Sequence, residues 1–394
     1  MNVKNSEMRP YAGIEGLRAW LAWAVVAWHL LQFFGLGPHG AAGIAATAVD
    51  VFIIVSGFVI CNLVVTRAEP WRVYIIRRAF RIFPAYLLVL AASVGSTLLV
   101  AATYRDIGWA QDPGFAFGAL FLDTVKSMQD YPFAHALLHL GLLHGAVPES
   151  VLPHSSIAIL GPAWSLSLEW QFYLIAPFFV MALAHRRGRY AVLAATALLF
   201  VAFKLGWFGQ YDQPSSLPIA GILFAVGILS RLRFPAVARL RRPLLWMLVC
   251  LAFACLSAES RGIGLWGAFL IIMAAHSRGE TAFDRTPMAR AWRAAFEHAL
   301  PRALGARSYS VYIVHWPVLQ SCFALVNADG GTGRLAGLIE VSLLTIPLTL
   351  LVSEALYRCV EQPFIAIGRG VASGMAQRIR GVENPAVQPS GQAS

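Results

Sequence analysis

Long apolar runs recur along the whole chain, and short polar stretches separate them. Ten of these runs approach the length of a membrane span, and they cover roughly residues 14–34, 43–65, 82–103, 163–184, 190–208, 217–230, 244–258, 262–276, 309–326 and 335–357. A helix needs about 20 predominantly apolar residues to cross the hydrocarbon core of a bilayer. The pattern therefore predicts an all-α integral membrane protein with about ten transmembrane helices.

The amino-acid composition agrees with this prediction. Of the 394 residues, 58% are hydrophobic and only 13% are charged, and the mean hydropathy is +0.63. Soluble domains usually contain about 25% charged residues. The composition therefore excludes an ordinary soluble globular domain.

The net charge of +11 would suit a nucleic-acid partner in a soluble protein, but here the basic residues follow the predicted topology. If the N-terminus is cytoplasmic, 26 of the 31 Lys and Arg residues fall on the cytoplasmic side. Such a bias in short loops is the positive-inside signal of membrane proteins. We therefore predict that both termini are cytoplasmic. We also predict that the protein contacts membrane lipids and does not bind nucleic acid.

One membrane domain is predicted over residues 11–367, followed by a polar tail over 368–394 that we expect to be cytoplasmic and disordered. The longest stretch between spans, about 105–162, is predicted on the outer face. In it, His135 and His139 have the helical spacing of metal ligands, but no glutamate completes an H-E-x-x-H signature. We therefore predict no metal site.

Ionisable residues within the first two spans are the first candidates for chemistry. His29 lies eleven residues after Arg18 in the first span, which is about 16 Å along a helix axis. Asp50 lies near the outer end of the second span. Such residues are costly at membrane depth and are usually functional. A carboxylate beside an imidazole suits a general base, and it also suits a structural pair that joins two helices.

Polar residues also cluster at the ends of three other spans. Arginines at 77, 78 and 81 precede the third span, where they predict either a juxtamembrane basic cluster or a phosphate clamp. The fourth span opens with Trp-Ser-Leu-Ser-Leu-Glu, and the ninth contains a Tyr-Ile-Val-His-Trp-Pro sequence whose proline predicts a kink. These side chains can form a substrate-facing wall, or they can cap and pack the helices.

Together, five blocks in order resemble the membrane-bound acyltransferase family 3, whose members O-acylate sugars of surface polysaccharides, lipopolysaccharide and peptidoglycan, and some antibiotics. The resemblance covers about residues 11–367. The blocks are Gly16-Leu-Arg18 with His29, Val49-Asp50 through Phe58, Arg78-x-x-Arg81 with Pro84, Trp164 to Glu169 with Phe172-Tyr173, and Ser308 to Tyr312 with His315 and Pro317.

The resemblance implies an acyl-CoA co-substrate, usually acetyl-CoA, that is reached from the cytoplasm, and no bound cofactor. It also implies a saccharide or lipid-linked saccharide acceptor on the other side of a bacterial cytoplasmic (inner) membrane. The chain looks like the stand-alone type, without a fused hydrolase-like domain. The site residues that we expect are catalytic His29, Asp50 (orienting His29) and Glu169; donor-binding Arg18, Arg78, Arg81, Tyr309 and His315; and acceptor-side Trp164, Ser165, Ser167 and Tyr173.

A proton-coupled secondary transporter is the alternative function. Polar residues in several spans and an internal His–Asp pair also suit a proton-coupled carrier. No inverted repeat is evident in the sequence. Turnover of a thioester, with release of free CoA thiol, would distinguish the enzyme from the transporter.

Overall fold

The structure is a computed structural model, and helices make up most of it. It describes residues 11, 13–36, 41–112, 114–277, 286–331 and 333–383. No strand occurs among these residues. The α-helices are α1 (Gly13–Phe33), α2 (Ala41–Arg67), α3 (Trp71–Asp106), α4 (Ala116–Asp130), α5 (Pro132–Leu140), α6 (Trp164–Ala184), α7 (Arg186–Lys204), α8 (Leu217–Val237), α9 (Pro243–Ala254), α10 (Ala258–Ser277), α11 (Pro287–Trp292), α12 (Ala299–Ala306), α13 (Ser308–Val326), α14 (Arg334–Leu356) and α15 (Gln362–Glu383).

Each of the ten predicted spans falls mainly within one helix: α1, α2, α3, α6, α7, α8, α9, α10, α13 and α14. Among the described residues, seven helical stretches are long and apolar enough to cross a membrane: Gly43–Arg67, Trp71–Asp106, Gly161–Ala184, Leu217–Val237, Ala258–Ser277, Ser308–Val326 and Arg334–Ile379. The protein is therefore an all-helical, multi-pass membrane protein. Ten spans and cytoplasmic termini remain predictions, because α1 and α7 are not among the seven and α9 has only 12 residues.

Glycines allow α2 and α8 to cross at close range. A Cβ atom on Gly57 would lie 2.5 Å from the carbonyl oxygen of Phe224, and one on Gly227 would overlap the carbonyl oxygen of Ile54. Small residues at such crossings let helix backbones approach in a membrane, where packing rather than water exclusion holds helices together. This crossing fixes the position of α2, which carries the predicted site residue Asp50.

Residues 107–163, here called the outer segment after their predicted side, fold back against the helices. Tyr86 of α3 donates a 2.9 Å hydrogen bond to the carbonyl of His139, and Thr97 of α3 donates one of 3.1 Å to the carbonyl of Ile159. The indole of Trp316 on α13 lies directly against Gly161. The end of the outer segment therefore lies among the helices, where it leads into α6.

The predicted disordered tail needs a correction. Helix α14 continues through a π-helical turn, Tyr357–Glu361, into α15, which ends at Glu383. Gly368 packs against Phe80 of α3, and Ala372, one turn later, is fully buried. Residues 368–383 are therefore helical rather than disordered, because small side chains on one face pack against α3. Residues 384–394 lie outside the described residues.

Candidate active site

A cavity of about 330 Å³ lies between the C-terminal end of α1, the N-terminal part of α2 and the outer segment. Two of the expected catalytic residues, His29 and Asp50, line it. Its wall also includes Thr124 of α4 and Trp164, the first residue of α6. A concave site of this size with aromatic walls and a few polar groups is typical of a small-molecule site.

The imidazole of His29 is held from three sides. Its Nδ1 lies 2.9 Å from Oε1 of Gln32, one turn later in α1. The Trp316 ring meets it edge-on at a centroid distance of 5.0 Å, and the His315 ring stacks on it at 5.4 Å. If Nδ1 donates its hydrogen to Gln32, Nε2 carries the lone pair, and this nitrogen has no hydrogen-bond partner among the described residues. This is the tautomer that a general base requires.

Asp50 does not orient His29 in the structure, which corrects the expectation. No hydrogen bond joins the two side chains, although both are described and both line the cavity. Asp50 instead lies against Gly262 of α10, where a Cβ atom would be 2.6 Å from Cβ of Asp50. Gln32 takes the orienting position because it shares a helix face with His29, whereas Asp50 belongs to a different helix.

A second polar group surrounds Glu169 of α6. Oε1 of this residue accepts hydrogen bonds from the hydroxyls of Ser56 on α2, at 2.6 Å, and Tyr173, one turn later in α6. The guanidinium of Arg78 lies over the Tyr173 ring, 5.9 Å from its centroid. Tyr173 therefore belongs to this group and is not among the residues that line the cavity, and its expected place on the acceptor side stays a prediction.

Three arginines meet two carboxylates in this region. Arg18 of α1 interacts electrostatically with Arg81 of α3, with Glu169 and with Glu361. Glu361 is buried at the π-helical turn, where Oε2 accepts a 2.8 Å hydrogen bond from Ser310. Arg78 has a buried Nε without a hydrogen-bond partner among the described residues. The group therefore has an excess of positive charge and an unsatisfied donor, and both favour an anion.

The first turns of α6 connect the cavity to the arginine group. The hydroxyl of Ser165 lies 2.7 Å from that of Tyr312, whose ring lines the cavity. Glu169 follows Ser165 by one turn of α6. His315, one turn after Tyr312 in α13, packs against His29. The two polar groups are thus neighbours within the helix bundle, and His315 lies beside the candidate base.

Comparison with known proteins identifies the chain. The family model described as "Acyltransferase domain" matches residues 11–358. The chain belongs to this acyltransferase family. The resemblance seen in the five sequence blocks is therefore confirmed.

Individual members of the acyltransferase family are only distantly similar. A protein provisionally named an O-acetyltransferase in Staphylococcus aureus (strain COL) is 23% identical over 403 residues, which cover 92% of this chain and 58% of the relative. A provisionally named peptidoglycan O-acetyltransferase, YrhL of Bacillus subtilis (strain 168), is 25% identical over 358 residues, 81% of this chain and 50% of YrhL. The chain thus spans between 50% and 58% of the length of these relatives. No solved structure matches it significantly.

Two other expected site residues of this acyltransferase make internal contacts. Ser167 is fully buried; its hydroxyl donates to the carbonyl of Leu142 and accepts from the amide of Gly145. Tyr309 donates a 2.7 Å hydrogen bond to the carbonyl of Ile82. These hydroxyls hold the outer segment and α3 in place, because backbone groups already satisfy them.

Three residues of the two polar groups were not expected: Gln32, Ser56 and Glu361. Gln32 could have been found, because a polar residue three positions after His29 shares its helix face. Ser56 lies within a quoted block, but its partner is on another helix. Glu361 lies beyond the last predicted span, and only the π-helical turn buries it. Sequence spacing therefore identifies partners within one helix and misses those between helices.

Among the described residues, the side chains that could hold a metal ion lie elsewhere, in the outer segment and in the connection between α7 and α8. Ligand atoms of Glu149, His154 and Asp212 lie within 4.8 Å of one another. His154 Nδ1 is 2.8 Å from Asp212, and Nε2 is 3.1 Å from Asp123. Burial alone would lower the pKa of His154, but hydrogen bonds to Asp212 and Asp123 and the negative charges of Asp212 and Glu149 outweigh it and raise that pKa. We call these four residues the His154 cluster.

Proposed function

We propose that the protein is a membrane O-acyltransferase that moves an acyl group, typically acetyl, from acyl-CoA to a hydroxyl of a cell-envelope or exported saccharide. The observation that carries this proposal is the position of His29, which lines a cavity next to a group of three arginines and whose Nε2 has no hydrogen-bond partner among the described residues. A base and an anion site on adjoining elements suit a reaction between a hydroxyl and a phosphate-bearing donor.

Binding of the acyl-CoA donor is supported by the positive charge of three arginines and by their distance from His29. Arg18, Arg78 and Arg81 outnumber the carboxylates beside them, and guanidinium groups match phosphate oxygens in geometry. Arg18 and His29 are about 16 Å apart along α1. That separation is on the scale of the extended pantetheine arm that joins the phosphates of CoA to its sulfur. The thioester could therefore reach His29 while the phosphates stay near the arginines.

The acceptor side rests on the cavity. Its wall combines the aromatic rings of Trp28, Trp164 and Trp316 with the polar side chains of Thr124 and Gln213. Apolar ring faces with a few hydrogen-bonding groups are suited to a sugar ring, which has both kinds of surface. The names of the relatives, which include O-acetyltransferases, support acetyl transfer to a hydroxyl.

The reaction that we propose needs one base. Nε2 of His29 takes the proton of the acceptor hydroxyl as its oxygen attacks the thioester carbonyl carbon. This attack forms the C–O bond of the ester, and the C–S bond then breaks. The proton passes from His29 to the sulfur, which gives the free CoA thiol. Gln32 keeps the base in the required tautomer through Nδ1. Glu169 keeps Tyr173 beside Arg78.

The transporter is less well supported. That hypothesis relied on an internal His–Asp pair to carry a proton, whereas His29 is hydrogen-bonded to a neutral amide.

We propose the bacterial cytoplasmic membrane as the location, with donor and acceptor approaching from opposite faces.

Acetyl-CoA turnover in reconstituted vesicles tests the function. Wild-type protein should release CoA thiol slowly without an acceptor and faster with saccharide fragments of the envelope, with acetate appearing as an ester on the sugar.

Arg78→Ala and Arg81→Ala should each weaken donor binding about 10- to 100-fold, since a hydrogen bond to a charged group contributes about 1.5–3 kcal/mol. The matched control is Arg77→Ala, because Arg77 pairs with Glu69 instead. Absence of thiol release from folded wild-type protein would contradict the proposal.

A further inference from the structure

His315 contains a buried nitrogen with no partner. The side chain is fully buried, and its Nε2 has no hydrogen-bond partner among the described residues. Buried polar atoms are satisfied in the great majority of cases, so each exception needs an explanation. The protein interior around His315 therefore lacks a group that the imidazole can bind.

The missing group must be a hydrogen-bond donor. Nδ1 of His315 lies 3.2 Å from the carbonyl oxygen of Val311, one turn earlier in α13. A carbonyl oxygen only accepts, so Nδ1 carries the ring hydrogen and Nε2 carries the lone pair. An N–H or O–H group would satisfy it, whereas an anion would not.

The position of His315 separates the two substrates. Its ring stacks on that of His29 at 5.4 Å, with 23° between the planes, and meets the Tyr312 ring at 6.1 Å. His29 and Tyr312 line the cavity that we assign to the acceptor, but His315 does not. A hydroxyl in that cavity would meet His29 first. The donor is then the substrate whose group can reach Nε2 of His315.

We propose that Nε2 of His315 binds the amide N–H of the acyl donor that is nearest to the thioester sulfur. This inference rests on the proposed function, in which the donor is an acyl-CoA. In the pantetheine arm, sulfur and two methylene groups separate that amide nitrogen from the thioester carbonyl carbon. Those few bonds cover a distance comparable with the 5.4 Å between the two imidazole rings. One histidine therefore holds the arm while the other faces the reacting carbonyl.

No bond to His315 forms or breaks in this scheme. It is a positioning residue. Its hydrogen bond to the amide makes the enzyme selective for thioesters of a pantetheine chain. The expectation from the sequence was that His315 binds the donor. The contact proposed here is between Nε2 of His315 and the amide N–H of the pantetheine arm. It also separates the role of His315 from that of the arginines, which would bind the phosphates.

Two small donors isolate this contact. S-acetyl-N-acetylcysteamine contains the thioester and the amide, and its ester analogue, 2-acetoxyethyl thioacetate, has oxygen in place of the N–H. We expect wild-type protein to favour the amide donor in kcat/KM by about 5- to 150-fold, the range for satisfying a buried polar group. His315→Phe should lose most of this preference. His315→Gln, which keeps an acceptor oxygen, should retain part of it, and His185→Phe at an exposed site should keep it all.

The donor ratio does not depend on how much protein is folded, so partial misfolding of a variant does not obscure it. If His315→Phe does not accumulate in membranes, His315→Ala is measured in the same way. A wild-type ratio near one, or an unchanged ratio in the variants, would overturn the inference and leave the acyltransferase function intact. If wild-type protein uses neither these donors nor acetyl-CoA, the proposed function fails as well.

Discussion

The hydroxyl of Ser56 on α2 donates a 2.6 Å hydrogen bond to Oε1 of Glu169 on α6. The two residues are 113 positions apart in the chain. Glu169 also accepts from Tyr173, and it interacts electrostatically with Arg18 and Arg78. One carboxylate thereby joins two helices and offsets part of the arginine charge.

Ser56→Ala should reduce stability only modestly, because it removes one of two hydroxyl donors to Glu169. Hydrogen bonds between membrane helices contribute about 0.6 kcal/mol on average. Glu169→Ala should cost more, about 1–3 kcal/mol, since it leaves the hydroxyls of Ser56 and Tyr173 without their acceptor. Unfolding in detergent would measure both. The control is Ser321→Ala, whose hydroxyl binds only the carbonyl of Pro317 in its own helix. Equal effects of the three variants would refute this account of Glu169.

His29→Ala should lower the rate of acyl transfer about 10²- to 10⁴-fold, the usual loss when a general base is removed. The unfolding temperature should change little, because His29 makes one side-chain hydrogen bond to the residues that the structure describes. Transfer is measured as CoA thiol released with acceptor present, and His185→Ala serves as the control at an exposed site. Retention of more than half of the wild-type rate would exclude His29 as the base.

Gly57→Ala and Gly227→Ala should each destabilise the protein, because the added methyl group meets backbone across the α2–α8 crossing. Overpacking of this kind typically costs about 1–3 kcal/mol. Gly95→Ala is the matched control, since Gly95 lies in α3 and its Cβ would meet nothing within 4 Å. Thermal unfolding of the three variants in one detergent would test this. Gly95→Ala should be as stable as wild type or slightly more so.

The His154 cluster should make stability depend on pH. Because the folded protein raises the pKa of His154, the stabilisation is complete below the ordinary pKa of about 6.5 and is lost as the pH rises through the raised value. His154→Gln should therefore unfold earlier than wild type at pH 6, and the difference should shrink by pH 9. A difference that grows with pH would contradict the sign.

His135 and His139 should act in the opposite direction. Burial lowers the pKa of each to about 4. Their stabilisation is therefore present above the ordinary pKa of about 6.5 and is lost as the pH falls towards 4. Unfolding temperatures of wild type and His139→Gln, measured from pH 7 to pH 4, should show a steeper fall for the wild type. Parallel curves would show that His139 does not titrate in this range.

Cysteine labelling tests the predicted sides of the membrane. Ser150 in the outer segment and Ser277 at the end of α10 are both exposed. In a background without the five native cysteines, Ser150→Cys should react with an impermeant maleimide from outside, and Ser277→Cys only after the membrane is opened. Labelling of both from the same side would mean that the predicted number of spans between them is wrong.

The sequence by itself determined the helical membrane fold, because the length of an apolar run is set by the thickness of the bilayer and needs no knowledge of neighbours. The first predicted span, 14–34, differs from α1 by one residue at each end. The family and the candidate base were also readable, since His29 and its spacing from Arg18 lie within one helix.

Only the tertiary structure decided what the polar residues contact. The third span was predicted to begin at 82, yet α3 begins at Trp71, because a helix can continue through the arginines that precede the apolar run. Gln32 rather than Asp50 holds His29, and the cavity takes part of its wall from the outer segment. Hydrophobicity places a residue in the membrane, but its partners depend on how helices far apart in the chain pack together.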